Sequence, residues 1–340
     1  MTKRLQRVLA GEAVWPPPTW LMRQAGRYLP EYRAVRAHAG DFISLCTTPE
    51  LATEVTLQPV RRYGMDAAIL FSDILVLPWA LGQGLAFREG EGPVLPPIRD
   101  AAGVAALDPA RLPGAIAPIL ETVRRVRAEV GEATLIGFAG SPFTVACYMI
   151  EGGGSKDFAH VRGMAYRDPA LFARLLDLLT EATVVYLAAQ IEAGAEVVML
   201  FDSWAGVLSP TLFRAHVTAP TRRIVAALKA LHPDIQVIGF PRLAGMLVGE
   251  YAAETGVQGV GIDTSADLSL VRGLVPDGIA LQGNLDPMAL VAGGAALESE
   301  TRAILAAARG RPHVFNLGHG IVPQTPPEHV AALLHMIRAA

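Results

Sequence analysis

DPALFARLLDLLTEATVVYLAAQIEAGAEVVMLFDS, residues 168–203, holds one complete unit of the fold. Asp168 offers a side-chain oxygen to the unpaired N–H groups of a helix start, and Pro169 takes the first helical position, where a missing N–H is harmless. Apolar residues recur at helical spacing as far as Ala193, and Gly194 supplies a left-handed C-cap. Glu196–Phe201 is then a short apolar run, the pattern of a strand covered on both faces. Asp202 and Ser203 end it with two polar groups. Helix, turn, buried strand and polar strand end form the repeating half of a parallel α/β fold.

The same punctuation recurs in both directions along the chain. Thr48-Pro49, Ser209-Pro210, Asp286-Pro287 and Thr325-Pro326 mark further helix starts, and Pro49 to Tyr63 is a clear helix closed by Gly64. Strands are expected at Ala67–Phe71, Leu135–Phe138, Gln236–Phe240, Gly259–Ile262, Ile279–Gln282 and His313–Leu317, with room for a crossover helix between most of them. That makes seven. An eighth, from Thr19–Met22 or Gly84–Phe87, would close a barrel. No Pro- or Gly-rich linker divides the chain, so the expectation is one domain over residues 1–340, a single distorted (β/α)8 TIM-type barrel, with an open doubly wound sheet as the alternative.

In such folds the active site forms at the carboxyl ends of the strands. Those ends read Ser72-Asp73, Gly140-Ser141, Asp202-Ser203, Pro241-Arg242, Asp263-Thr264, Asn284-Leu285-Asp286 and Gly318-His319. Any one of these groups can be a helix cap, and Asp286 before Pro287 reads as one. Asp73 and His319 have no obvious helix starting beside them, and Asp263 has no evident duty. The triple glycine in Tyr148-Met-Ile-Glu-Gly-Gly-Gly-Ser155 lacks the Walker pattern and reads as a mobile loop beside the pocket mouth. Tyr148 either offers its phenol to a ligand there or packs in the core.

Charge is concentrated at the N-terminal end. Residues 1–40 carry seven basic side chains against Glu12 and Glu31, a local +5 in a chain of net charge −3. Arg23, Arg27, Arg33 and Arg36 cluster within it. A guanidinium keeps its proton and grips carboxylates through paired hydrogen bonds, so the stretch reads as the wall of a pocket for a small, multiply anionic ligand. The competing reading is a basic N-terminal arm with ordinary surface ion pairs. Only three residues are Lys, which leaves 26 Arg, so position rather than mere presence carries the case. With 51% apolar and 18% charged residues the chain can fill a large core. No basic run interleaved with aromatics suggests nucleic acid. The start lacks a signal-peptide pattern, no apolar run reaches membrane-spanning length, and Cys46 and Cys147 show neither metal-like spacing nor a disulfide framework. A cytoplasmic protein is expected.

Six motifs in order carry a resemblance over essentially the whole chain. They are Met22-Arg-Gln-Ala-Gly-Arg-Tyr-Leu-Pro-Glu-Tyr-Arg33, Phe71-Ser-Asp-Ile-Leu-Val-Leu-Pro78, Gly137-Phe-Ala-Gly-Ser-Pro-Phe-Thr144 with Tyr148 to Ser155, Phe201-Asp-Ser-Trp-Ala-Gly206, Gly283-Asn-Leu-Asp-Pro287 and Asn316-Leu-Gly-His-Gly320. The chain resembles the uroporphyrinogen decarboxylase family of tetrapyrrole biosynthesis. The resemblance implies a distorted (β/α)8 barrel, a homodimer, no metal and no organic cofactor. It also implies a reaction: the four acetate arms of uroporphyrinogen III lose CO2 to give coproporphyrinogen III. In that light Asp73 would accept hydrogen bonds from pyrrole N–H groups, with Arg23, Arg27 and Tyr148 as further catalytic residues. Arg23, Arg27, Tyr148, Ser203 and His319 would meet substrate carboxylates, with Arg33 and Arg36 as further or supporting members of the wall. A His titrating near neutral pH could also supply protons. Arg242 departs from the Lys usual in bacterial relatives but keeps the charge. Two other classes would suit a related sequence, a corrinoid-linked methyltransferase with a zinc–thiolate site and a non-catalytic tetrapyrrole carrier.

Overall fold

The strands lie where the apolar runs place them. A computed structural model of the protein describes residues 2–88 and 92–340. Its strands are β1 (Ala67–Ile69), β2 (Ala86–Arg88), β3 (Gly92–Val94), β4 (Thr134–Gly140), β5 (Val197–Asp202), β6 (Gln236–Pro241), β7 (Gly259–Gly261), β8 (Ala280–Leu285) and β9 (His313–Leu317). Seven of them form one parallel sheet in the order β1-β4-β5-β6-β7-β8-β9, while β2 and β3 pair as a separate antiparallel hairpin. The order follows the chain without reversal, so the doubly wound alternative, which needs a switch point, is excluded. Every residue of β4, β8 and β9 is buried, as both-face coverage requires.

The helices follow their end signals. Pro49–Tyr63 stops at Gly64, which sits in the left-handed region at φ 64°. Pro169–Ala193 opens with the Asp168 carboxylate accepting the Leu171 N–H and stops at Gly194, φ 121°. Near its end, buried Gln190 pairs with the Phe138 peptide in both directions, at 2.9 and 3.0 Å. A Cβ at Gly137 would lie 2.5 Å from the Gln190 Oε1, so this approach of helix to strand needs glycine. The last helix, Pro327–Arg338, begins one residue later than Thr325-Pro326 suggests. The residue before a proline is driven to extended backbone, and Pro326 takes ψ 128° ahead of Pro327.

Segment 18–20 spans the gap between the outer strands of the sheet. Phe315 N–H donates to Pro18 O at 2.9 Å and Thr19 forms a parallel bridge with Phe315. On its other side Thr19 donates to Asp66 Oδ2 at 2.8 Å and accepts the Asp66 N–H at 2.9 Å. Trp20 turns inward and donates to Gln282 Oε1 at 2.9 Å. Of the two segments expected to supply an eighth strand, Thr19–Met22 occupies the seam through Thr19 alone. The Gly84–Phe87 segment instead feeds the β2–β3 hairpin, away from the seam.

Candidate active site

Residues 21–29 are irregular backbone pinned to two strands. Met22 N–H donates to Asn316 Oδ1 at 2.9 Å, Met22 O accepts the Ile321 N–H at 2.9 Å, and Gln24 Nε2 donates to Ala67 O at 3.0 Å. Between these anchors Arg23 is held at φ 60°. A non-glycine residue persists there only when its surroundings enforce it. The Arg23 side chain runs across Gly320, where a Cβ would come within 2.7 Å of Arg23 Cγ.

The four arginines separate into two pairs. Arg33 donates to Arg27 O at 2.8 Å and Tyr28 O at 3.1 Å, and Arg36 donates to Gly40 O at 3.1 Å with its guanidinium 5.9 Å from the Phe42 ring. Both are braces for backbone. Arg23 and Arg27 are exposed, and among the described residues neither has a carboxylate partner. Other arginines nearby do pair with carboxylates: Arg7 with Glu12, Arg61 with Glu54, Arg62 with Glu31.

Asp73 stands two residues beyond Phe71, past the end of β1. Contrary to expectation a short helix, Val76–Ala80, does start nearby, and Asp73 Oδ1 accepts the Leu75 N–H at 2.8 Å. Burial pushes its carboxyl above the ordinary range, opposed by that N–H and by the charge of Arg23. The same Arg23 charge acts on Tyr148, whose phenol is pushed up by burial, and on His319. Arg23, Asp73, Tyr148 and His319 therefore share one region at the carboxyl ends of β1, β4 and β9. Tyr148 lies half-buried on helix Pro142–Glu151 with its ring 6.2 Å from that of Trp204, and Ser203, just before Trp204, is partly exposed at the end of β5.

Two expectations need correcting. His319 is pushed down to about 4, chiefly by burial and further by Arg23 and Arg242, so it is a neutral imidazole at neutral pH and not a proton donor poised there. The triple glycine is fastened at its first two residues, while Gly154 is exposed in open space. Gly152 caps the helix at φ 85° and its carbonyl accepts the Leu95 N–H at 3.0 Å, while a Cβ on Gly153 would lie 3.1 Å from Pro93 O.

Asp263 acquires a duty. Its carboxylate accepts the N–H of Leu243 at 2.7 Å and both the N–H and hydroxyl of Ser265, at 2.9 and 2.5 Å. It thereby holds Leu243 at φ 60°, one residue after Arg242. The sequence marks Asp202 as a strand end but assigns no duty to it, to Thr144 or to Trp204; in the structure the three join the ends of β4 and β5. The available signal was the Asp directly before Ser203 at a strand end. As for metals, both cysteines are fully buried with their thiols pushed up by burial. Among the described residues no three His, Cys, Asp or Glu side chains are grouped to hold an ion.

Known proteins share this chain from end to end. The family model described as Uroporphyrinogen decarboxylase (URO-D) matches residues 1–340. A protein of Granulibacter bethesdensis named uroporphyrinogen decarboxylase is 64% identical over 342 residues, covering 99% of each chain. One of the same name from Acidiphilium cryptum is 63% identical, covering 99% of this chain and 94% of its own. Among solved structures, a methyltransferase from Methanosarcina mazei superposes with a TM-score of 0.78 over 99% of this chain and 97% of its own, at 22% identity, a likeness of fold alone. On the whole-chain family match and these identities, the chain belongs to the uroporphyrinogen decarboxylase family.

Proposed function

We propose that the protein decarboxylates the four acetate arms of uroporphyrinogen III to give coproporphyrinogen III, without metal or organic cofactor. The observation that carries this reading is the pairing of opposite charges at the carboxyl ends of the strands. Arg23 and Arg27 offer guanidinium groups that no described carboxylate neutralises, and the charge of Arg23 bears on the partly buried carboxylate of Asp73. Arginines suit a ligand bearing many carboxylates. A partly buried carboxylate among them lowers the affinity for such a ligand unless it faces positive charge. A protonated pyrrole is such a charge.

The chemistry follows from the substrate. Protonation at the ring α-carbon next to the one bearing the acetate makes a conjugated iminium. Breaking the C–C bond to CO2 then pushes the electron pair into an exocyclic C=CH2 and on to the ring nitrogen. Protonation of that CH2 with loss of the added ring proton gives the methyl, so the ring is its own electron sink. Asp73 accepts hydrogen bonds from the pyrrole N–H groups and stabilises the cation, a preorganised interaction worth about 3–4 kcal/mol in comparable sites. Arg23, Arg27, Tyr148, Ser203 and neutral His319 hold carboxylates, with Arg33 and Arg36 bracing the wall. Of the proton donors, Arg23 lies close to Asp73 but gives up a proton reluctantly. Tyr148, directly or through water, is the other route.

The closed (β/α)8 barrel belongs to the same proposal, with Thr19 as its eighth stave; the hydrogen bonds of segment 18–20 to both outer strands support it. So do a single domain over 1–340, a cytoplasmic location and a homodimer, the last supported by exposed Leu243 and Met246 in the loop after β6 and Leu270 on the short helix Leu268–Val271 after β7. The methyltransferase reading rests on fold alone, and the burial of both thiols weighs against it. The test is incubation of the purified protein with uroporphyrinogen III under anaerobic conditions, with products oxidised and separated by carboxyl number. The reading predicts a series from seven to four carboxyls. Unchanged eight-carboxyl material that stays bound would make the protein a carrier.

A further inference from the structure

Asp202 is the most heavily buried carboxylate at the strand ends, 1% exposed, and the mechanism above does not use it. One of its oxygens accepts the Thr144 hydroxyl at 2.5 Å; the other is buried with no partner. Thr144 in turn accepts the Trp204 N–H at 3.0 Å. The Asp202 carbonyl accepts the Arg242 N–H at 3.1 Å. This one residue therefore ties together the ends of β4, β5 and β6. A threonine in a helix ordinarily returns its hydroxyl proton to a carbonyl one turn back. Thr144 spends it on Asp202 instead, which locks the first turn of helix Pro142–Glu151 to β5. Tyr148 lies one turn further on the same helix face. Its ring meets Trp204 at 6.2 Å, and Trp204 is backed by Phe158 at 4.7 Å.

We propose that Asp202 is a positioning residue which, through Thr144 and the Trp204 peptide, fixes the Tyr148 phenol at the carboxyl ends of the strands. The inference rests on the decarboxylase reading for its kinetic consequence and on geometry alone for the rest. An apolar side chain would fill the same space without burying a half-satisfied carboxylate. What the carboxylate adds is direction. Small misplacements of a group in a site cost up to about a hundredfold in rate.

The test compares wild type with Asp202→Asn, Thr144→Val, Thr144→Ser, Tyr148→Phe and Thr144→Val/Tyr148→Phe, by turnover of uroporphyrinogen III and by crystal structure. The expected result is a fall in kcat of about tenfold or more for Thr144→Val, with Thr144→Ser and Asp202→Asn, whose amide oxygen still accepts the Thr144 hydroxyl, within about threefold of wild type. In the Tyr148→Phe background, Thr144→Val should cost less than about twofold further, because the loss runs through the phenol. Equal losses in both backgrounds would overturn the inference. So would a Thr144→Val structure that keeps the Tyr148 and Trp204 rings 6.2 Å apart. If wild type leaves uroporphyrinogen unchanged, the decarboxylase reading fails separately, and ring displacement in the Thr144→Val structure still decides the positioning claim. Should Thr144→Val not fold, Thr144→Cys, similar in size and a weaker donor, takes its place with the same expectations.

Discussion

Arg23 owes its place to its neighbours' backbone bonds, since Met22 is held by Asn316 and Gln24 by Ala67. The φ of 60° between them aims the guanidinium over Gly320. Gly320→Ala should displace that side chain rather than the fold, because the atoms met are those of a flexible Arg. KM for uroporphyrinogen should rise about tenfold, with Tm within about 2 °C of wild type, measured by steady-state kinetics and thermal melts. An unchanged KM would remove Arg23 from the binding wall. At this scale the sequence is legible where residue type alone decides, as with the arginine cluster near the start of a chain of net negative charge. It is silent where decisive partners come from distant strands. Arg33 and Arg36 look like Arg23 and Arg27 until the carbonyls they bind are in place. The neutrality of His319 comes chiefly from its burial and further from Arg23 and Arg242, which lie far from it in the chain.

Elements were readable because the strands are buried on both faces and the helices carry Asp-Pro or Thr-Pro starts and Gly ends. His313–Leu317 matches end to end, while Ala67–Phe71 shortens to Ala67–Ile69, where its pairing with β4 ends. The seam is the exception. Thr19 alone makes a ladder contact there, and one residue has no periodicity to read. Its substitute for a ladder is the Asp66 side chain, which accepts the Thr19 N–H. Asp66→Ala should leave that N–H unpaired and cost about 1–3 kcal/mol, read as the loss in unfolding free energy by denaturant titration. A loss under about 0.5 kcal/mol would show that the seam holds without it.

Over the whole molecule, pH acts on stability through buried groups. Asp202 is pushed up to about 7 by burial, from 3.8 in a free aspartate. Between those values the folded state holds a proton that the unfolded chain releases, so this group's contribution falls as pH rises from about 4 to 7. Buried His313 and half-buried His319, both pushed down to about 4, act oppositely: stability is lost as pH falls below 6.5, where the unfolded chain takes up protons first. Asp202→Asn isolates the first effect. Relative to wild type its unfolding free energy should grow between pH 4 and 7, by at most on the order of 4 kcal/mol. A difference between variant and wild type that stays flat with pH would place the Asp202 carboxyl in the ordinary range. None of these groups announces its burial in the sequence, because burial is a property of the sheet and its helices together.

The central claim is that Asp73 supplies negative charge beneath a pyrrole cation. Asp73→Asn keeps an oxygen to accept the Leu75 N–H, removes the charge and turns the second acceptor oxygen into an N–H donor. The deciding measurement is kcat of this variant on uroporphyrinogen III beside its dissociation constant for the same ligand. The account predicts kcat lower by about a hundredfold or more, with binding unchanged or tighter. A variant that turns over at the wild-type rate would contradict it.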